Sequence, residues 1–147
     1  METRYCARLM IVDEAGQLLL FQYKDEHRPE AFWATAGGEL KPGETYREAA
    51  RRELYEETGL TDDIGPLLKE HDAVFAVARS VPALWKEQYF LVRVPSDSNV
   101  FAADWTEEEK STIQTWKWWT LGEMQAASSD MFKPEWLPEL LAEILQR

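Results

Sequence analysis

The sequence predicts an α/β fold: one domain in which a mixed central sheet is covered by helices on both sides. Three observations carry this. Apolar runs of strand length recur at residues 4–12, 17–24, 32–35, about 67–78, 86–94 and 112–120. Helical patterns are interleaved with them, one at residues 46–58 and one at the end of the chain. A length of 147 residues suits a single domain spanning residues 1–147, able to bury about two thirds of its unfolded surface.

Residues 4–12 and 17–24 are apolar, with β-branched and aromatic side chains among them, and Asp13-Glu14-Ala15-Gly16 between them supplies turn chemistry, so they read as a hairpin. Cys6, the only cysteine, has no partner for an internal disulfide and reads as a buried structural thiol. After the polar stretch Asp25 to Glu30 a short strand leads into Gly37-Gly38, a loop whose bare backbone can approach a metal or a phosphate. Thr45 and Glu48 then form a T-x-x-E capping box, Pro42-Gly43 makes a turn before it, and Gly59 stands where an αL residue ends a helix. Two strands separated by a link containing Pro82 follow, and then a third. The long acidic link from Pro95 to Glu109 is a candidate flank of an active site. The chain closes with an amphipathic helix carrying Leu137, Leu140, Leu141, Ile144 and Leu145. Its default role is packing on the sheet, with a homodimer contact as the alternative.

The helix at 46–58 holds the most specific signal. At 100° per residue, Glu57 lies about 40° to one side of Glu53 and Glu56 about 60° to the other, so three carboxylates share one arc. Ala49, Ala50 and Tyr46 lie on the same arc, which marks it as the inward face, while Arg47, Glu48, Arg51 and Tyr55 point the opposite way. Like charges at i and i+4 repel by roughly 0.2–0.5 kcal/mol on a bare helix, and a bound cation removes that repulsion. Oxygen-only ligands of high charge suit a hard cation, Mg²⁺ or alternatively Mn²⁺.

Gly38, five residues, Glu44, seven residues, Arg52-Glu53-Leu54, one residue, Glu56-Glu57, one residue, then Gly59-Leu60: this string resembles the Nudix box at every constrained position. Trp33 to Gly38 is similar to the family's strand-to-loop entry, and Trp118-Trp119-Thr120-Leu121 to its late strand followed by a helix, so the likeness covers about residues 4–145. Ala36 stands where many members have proline, which loosens the entry angle and removes no ligand. The resemblance implies the Nudix α/β/α sandwich. It also implies metal-dependent hydrolysis of a nucleoside diphosphate linked to another moiety. The alternative is a non-catalytic nucleotide-binding module on the same fold.

On that resemblance Glu53, Glu56 and Glu57, with Gly37 beside them, would hold the metal. Arg52 would orient a glutamate, and Glu56 or a glutamate outside the box would take the proton of the attacking water. Glu87, on a strand with Trp85, Gln88 and Tyr89, is the first candidate outside the box for that catalytic role, and Glu109 the second. Glu44 joins the Arg52 network or favours the helix N-terminus through the dipole. Arg8, a lone cation in an apolar strand, is a candidate for substrate phosphates, against the alternative of an edge or snorkelling arginine. Trp33 or Phe75 is a candidate for stacking on a nucleobase. His27 and His71 have no ligand spacing and receive no role. Beyond the box, Phe75 to Ala78 carry neither the proline nor the tyrosine that marks some subgroups. Nucleoside triphosphates, oxidised ones included, and nucleotide sugars therefore both stay open.

A net charge of −11 argues against nucleic acid as a partner, because phosphate-backbone affinity comes from clustered Lys and Arg. A small nucleotide-type substrate remains compatible, since a divalent cation can bridge carboxylates and phosphate oxygens. No apolar run is long enough for a membrane span or a secretory signal, which points to a cytoplasmic protein with no membrane partner.

Overall fold

Strand β1 (Thr3–Val12) is apolar on both faces, and the architecture follows from that. Its Ala7, Leu9 and Ile11 face one core and its Met10 and Val12 the other. A strand buried on both faces lies inside a sheet with layers above and below it. The structure, a computed structural model, covers residues 1–147. The other elements are β2 (Leu18–Tyr23), β3 (Phe32–Ala34), β4 (Ala36–Glu39), α1 (Tyr46–Thr58), β5 (Leu67–Phe75), β6 (Ala83–Arg93), α2 (Glu107–Thr112), β7 (Ile113–Trp119), α3 (Leu121–Ala126) and α4 (Leu137–Leu145).

The seven-stranded sheet is mixed and divides into two wings. In the first, β6 runs parallel to β1 along its whole length, β5 adds antiparallel to β6, and β4 pairs antiparallel with the other edge of β1. In the second, β2 is flanked by β3 and β7, both antiparallel. The wings join where Val12 pairs with Leu18. The hairpin expected between β1 and β2 is therefore reduced to its turn. Asp13 closes that turn by accepting the N–H groups of Ala15 and Gln17 on Oδ1. Both strands are buried and need partners on both edges, and those partners come from distant sequence, so the wings splay apart beyond the turn.

On one side α1 packs Ala49, Ala50 and Leu54 against Ala7, Leu9, Ile11, Phe90 and Val92. On the other, Leu137, Leu140, Leu141 and Ile144 of α4 and Met124 of α3 cover Met10, Leu18, Leu20 and Leu91. The result is an α/β/α sandwich. The apolar face of α4 is taken up by this intramolecular packing. Trp33 belongs to the same core, edge-on to Trp119 at 5.2 Å, and is not exposed for a base to stack on. The Gly37-Gly38 segment, expected as a loop, is part of β4, with Gly37 opposite Arg8 and Gly38 opposite Ala7. The acidic link after β6 ends in a helix, α2, which begins at Glu107. No helix is long and apolar enough to cross a membrane.

Candidate active site

The two ends of α1 set the direction in which its carboxylates point. Thr45 accepts the Glu48 N–H on Oγ1 at 3.1 Å, and Glu48 returns the contact by accepting the Thr45 N–H at 2.9 Å. Gly59 ends the helix in the left-handed region at φ 76°, donating to the Tyr55 carbonyl. Between these caps Glu53 and Glu57 are 8% and 1% exposed, while Arg47, Arg51 and Tyr55 face solvent.

Strand β4 gives these carboxylates a wall of bare backbone. The Gly37 N–H donates to Glu57 Oε2 at 2.8 Å, and a Cβ on Gly38 would run into Glu53 Oε1. Gly37 itself is at φ 149°, and a Cβ there would run into the Ala7 carbonyl oxygen and lie 2.9 Å from Arg8 Cα. Glycine at both positions is what lets the strand and the helix approach so closely.

Arg52 starts at the flank of the carboxylate arc, about 100° from Glu53, and reaches across it. It donates from Nη1 to Glu53 Oε1 at 2.7 Å and to Glu56 Oε2 at 3.0 Å, and from Nε and Nη2 to both oxygens of Glu44. Its Nη2 also reaches the Glu39 carbonyl at 3.0 Å. The Arg52 hydrogen bonds hold the Glu44 carboxyl down to about 2.

The third carboxylate of the cluster comes from outside the helix. One oxygen each from Glu53, Glu57 and Glu109 can be chosen so that all three lie within 4.8 Å of one another. Glu109 is fixed by the capping box of α2: it accepts the Thr106 N–H at 2.9 Å, and its own N–H donates to Thr106 Oγ1 at 3.1 Å. Burial pushes the Glu53 carboxyl up to about 7, against the pull of Arg52, with Glu109 and Glu56 adding to the rise. Glu57 is raised well above the ordinary carboxylate range, first by burial and then by its hydrogen bond to Glu109 and the charge of Glu53. Three crowded acidic oxygens, with proton affinity raised at Glu53 and Glu57, are a donor set that a hard divalent cation relieves, so the residues fit such an ion.

The cluster opens on a cleft of about 760 Å³ between the two wings of the sheet. On its far wall Arg8 donates from Nε to Glu87 Oε2 at 2.8 Å, and His71 Nδ1 lies 3.3 Å from Glu87 Oε1. Glu87 is 3% exposed. Cys6 lines the cleft and is almost fully buried, its thiol pushed up to about 12 by burial.

The structure thus brings Glu53, Glu57 and Gly37 together as the sequence placed them, but Glu56 turns its carboxylate to Arg52. Glu109 takes the third place in the cluster, while Glu87 lies on the opposite wall. The sequence offered Glu109 as the second candidate base outside the box, but not as a neighbour of Glu53 and Glu57, because a loop and a helix cap bring it there. His71, Phe32 and Lys133 also line the cleft, and nothing in the sequence marks them.

Fold and site together define a class, that of hydrolases built on an α/β/α sandwich with carboxylates gathered at the mouth of a cleft. The NUDIX domain family model matches residues 2–140. An RNA pyrophosphohydrolase of Roseobacter denitrificans is 30% identical over 129 residues, covering 78% of this chain and 75% of that protein. The fold is shared with a MutT protein of Methanosarcina mazei, at TM-score 0.71 and 18% identity over 99% of this chain and 94% of that one. It is shared too with a C. elegans Ap4A hydrolase, at TM-score 0.67 and 24% identity over 97% and 98%. The chain belongs to the Nudix family of hydrolases.

Proposed function

We propose that this chain hydrolyses a pyrophosphate bond in a small nucleotide-type substrate, a nucleoside diphosphate joined to a further group, with Mg²⁺ as its ion and Mn²⁺ as the alternative. The observation that carries the reading is the carboxylate trio of Glu53, Glu57 and Glu109 at the mouth of a cleft of nucleotide size. A divalent cation held there supplies charge neutralisation for phosphate oxygens and lowers the pKa of a water.

The chain's own residues do the rest. Gly37 fixes one oxygen of Glu57, and Arg52 fixes one of Glu53, so neither ligand has to reorganise. Glu56 completes the Arg52 network beside the trio. Among the candidates for taking the proton of the attacking water, Glu109 is supported by its place in the trio and its partial exposure. Glu87 is less suited, since Arg8 and His71 engage both its oxygens.

The test is a panel of nucleoside triphosphates, nucleotide sugars and a 5′-triphosphorylated RNA with Mg²⁺, run on the wild type and on Glu57→Gln. The expected result is release of a nucleoside monophosphate and a phosphorylated product, with kcat lower by about a hundredfold or more in the variant. Wild-type turnover in Glu57→Gln would sink the reading. Tight binding of nucleotides with no cleavage would install the binding module in its place. The RNA arm addresses the relative named RNA pyrophosphohydrolase. A chain of net charge −11 is expected to favour the free nucleotide.

A further inference from the structure

The cleft has a second end that the carboxylate chemistry leaves unused. There Phe75 lies parallel on Trp85, ring centroids 5.4 Å apart, and Phe32 stacks on Tyr23 at 5.7 Å. Lys133 stands between the two pairs, its Nζ 4.7 Å from the centroid of Phe75 and 5.2 Å from that of Phe32. It is half-buried and makes no salt bridge, in a protein with a large excess of acid. Burial lowers its pKa, so its charge is poorly solvated where it stands.

Arg8 is the second cation on this wall. Glu87 holds its Nε, and the two terminal NH₂ groups donate to nothing else in the protein. Glu87 itself is too deeply buried for a ligand to reach, so the reachable half of this ion pair is the guanidinium. The other carboxylate at this end, Asp25, has Oδ1 turned back onto the His27 N–H at 2.8 Å.

A group docked here meets flat aromatic faces and two cationic donors. The faces favour a planar ring. The donors favour a ring whose edge carries hydrogen-bond acceptors, because an amino edge sets N–H against N–H and leaves a desolvated cation unpaired. We propose, on the nucleotide reading above, that Lys133 and Arg8 form a base-reading subsite selecting nucleobases edged with carbonyl oxygens, of the guanine and uracil type, over adenine, with Glu87 as the positioning residue that holds Arg8. The base packs against Phe75 while Lys133 leaves the ring face and donates to a carbonyl oxygen. The phosphates then run toward the carboxylate trio at the other end of the cleft.

Two measurements test this. The first compares kcat/KM for GTP, UTP and ATP with Mg²⁺. The second titrates GMP, UMP and AMP into the protein without divalent ion, followed by tryptophan fluorescence. The guanine and uracil compounds are expected to be favoured by about tenfold or more in both. Lys133→Met keeps the stem and removes the donors, and is expected to cut the preference about tenfold, with the ATP value moving much less. Glu87→Gln is expected to raise KM for GTP and UTP more than it lowers kcat. Equal values for the three bases in the wild type would overturn the proposal. So would a Lys133→Met variant that loses the same factor on every substrate, because Lys133 would then be reading phosphate. If that variant does not fold, the wild-type monophosphate titrations decide on their own. A base preference in binding with no hydrolysis of any triphosphate, nucleotide sugar or triphosphorylated RNA would support the subsite and refute the hydrolase reading.

Discussion

Trp105 Nε1 donates to the carbonyl oxygen of Glu57 at 3.0 Å, and this contact ties the loop that delivers Glu109 to the helix that carries the other two carboxylates. It does not act alone. The Phe101 and Asp104 N–H groups donate to the Thr58 and Glu56 carbonyls at 3.0 and 2.8 Å, so three carbonyls that the end of α1 leaves free are satisfied by one segment. The ring of Trp105 is further held edge-on by Phe21 and Trp116, each about 6.0 Å away. Trp105→Phe keeps most of the ring contact and removes the donor. The expected cost is about 0.5–1.5 kcal/mol in urea unfolding, with a several-fold loss of divalent-ion affinity by calorimetry. Unchanged ion affinity would show that Glu109 is placed by α2 alone.

The two glycines of β4 are expected to fail in different ways. At Gly38 a new Cβ meets the end of the Glu53 side chain, which can swing aside. Gly38→Ala should therefore fold normally by circular dichroism and lose ion binding and turnover. At Gly37 the Cβ meets the backbone of β1 and the φ of 149° is strained for any side chain. Gly37→Ala should lower stability by about 1–3 kcal/mol, read as a fall in Tm. A Gly38→Ala protein with full activity would mean that Glu53 is not needed where it stands.

Arg52 gives a pH signature. With Glu44 held to about 2 in the fold against its ordinary 4.5, the ionised carboxylate favours the folded state at every pH above 4.5, and this contribution is lost as the pH falls through about 2. Arg52→Met removes the partner. Acid unfolding of the variant should lose the part of its slope that lies between those two values, and NMR titration should find Glu44 back in the ordinary carboxylate range. A Glu44 that still titrates near its wild-type value would mean that the Lys41 N–H it accepts is enough to hold it.

Ion removal should reverse the sign of a second pH dependence. Glu53 titrates at about 7 in the fold against an ordinary 4.5, so its contribution is present in full below 4.5 and is lost as the pH rises through about 7. Glu57 is raised by the same causes and adds in the same direction. The ion-free protein should accordingly lose Tm across that window. With saturating Mg²⁺ the Tm should rise with pH instead, because carboxylates must give up their protons to bind, and calorimetry in buffers of different ionisation enthalpy should show protons released. A Tm that ignores both pH and Mg²⁺ would remove the trio from consideration as an ion site.

Much of the carboxylate-bearing helix was legible in the sequence, because its determinants are local. The Thr45–Glu48 box, the turn before it and Gly59 define residues 46–58 without reference to the rest of the chain, and the helical period then places Glu53 and Glu57 on the inward face. The period allows Arg52 to pair with Glu56 at i+4 but says nothing about how a long side chain bends, which is why its reach to Glu53 and Glu44 was not legible. Strand positions were legible from their apolar runs, but pairing was not. Adjacency suggested that β1 and β2 form a hairpin, whereas β1 spends its edges on β6 and β4, and that choice opens the cleft. The sequence by itself determined the helix and its two buried glutamates, since these depend on neighbours within a few residues. The tertiary structure alone decided that Glu109 is the third carboxylate, that Arg8 and Glu87 pair between the neighbouring strands β1 and β6, and that Lys133 stands among aromatic rings, because each of these depends on contacts between segments far apart in the chain.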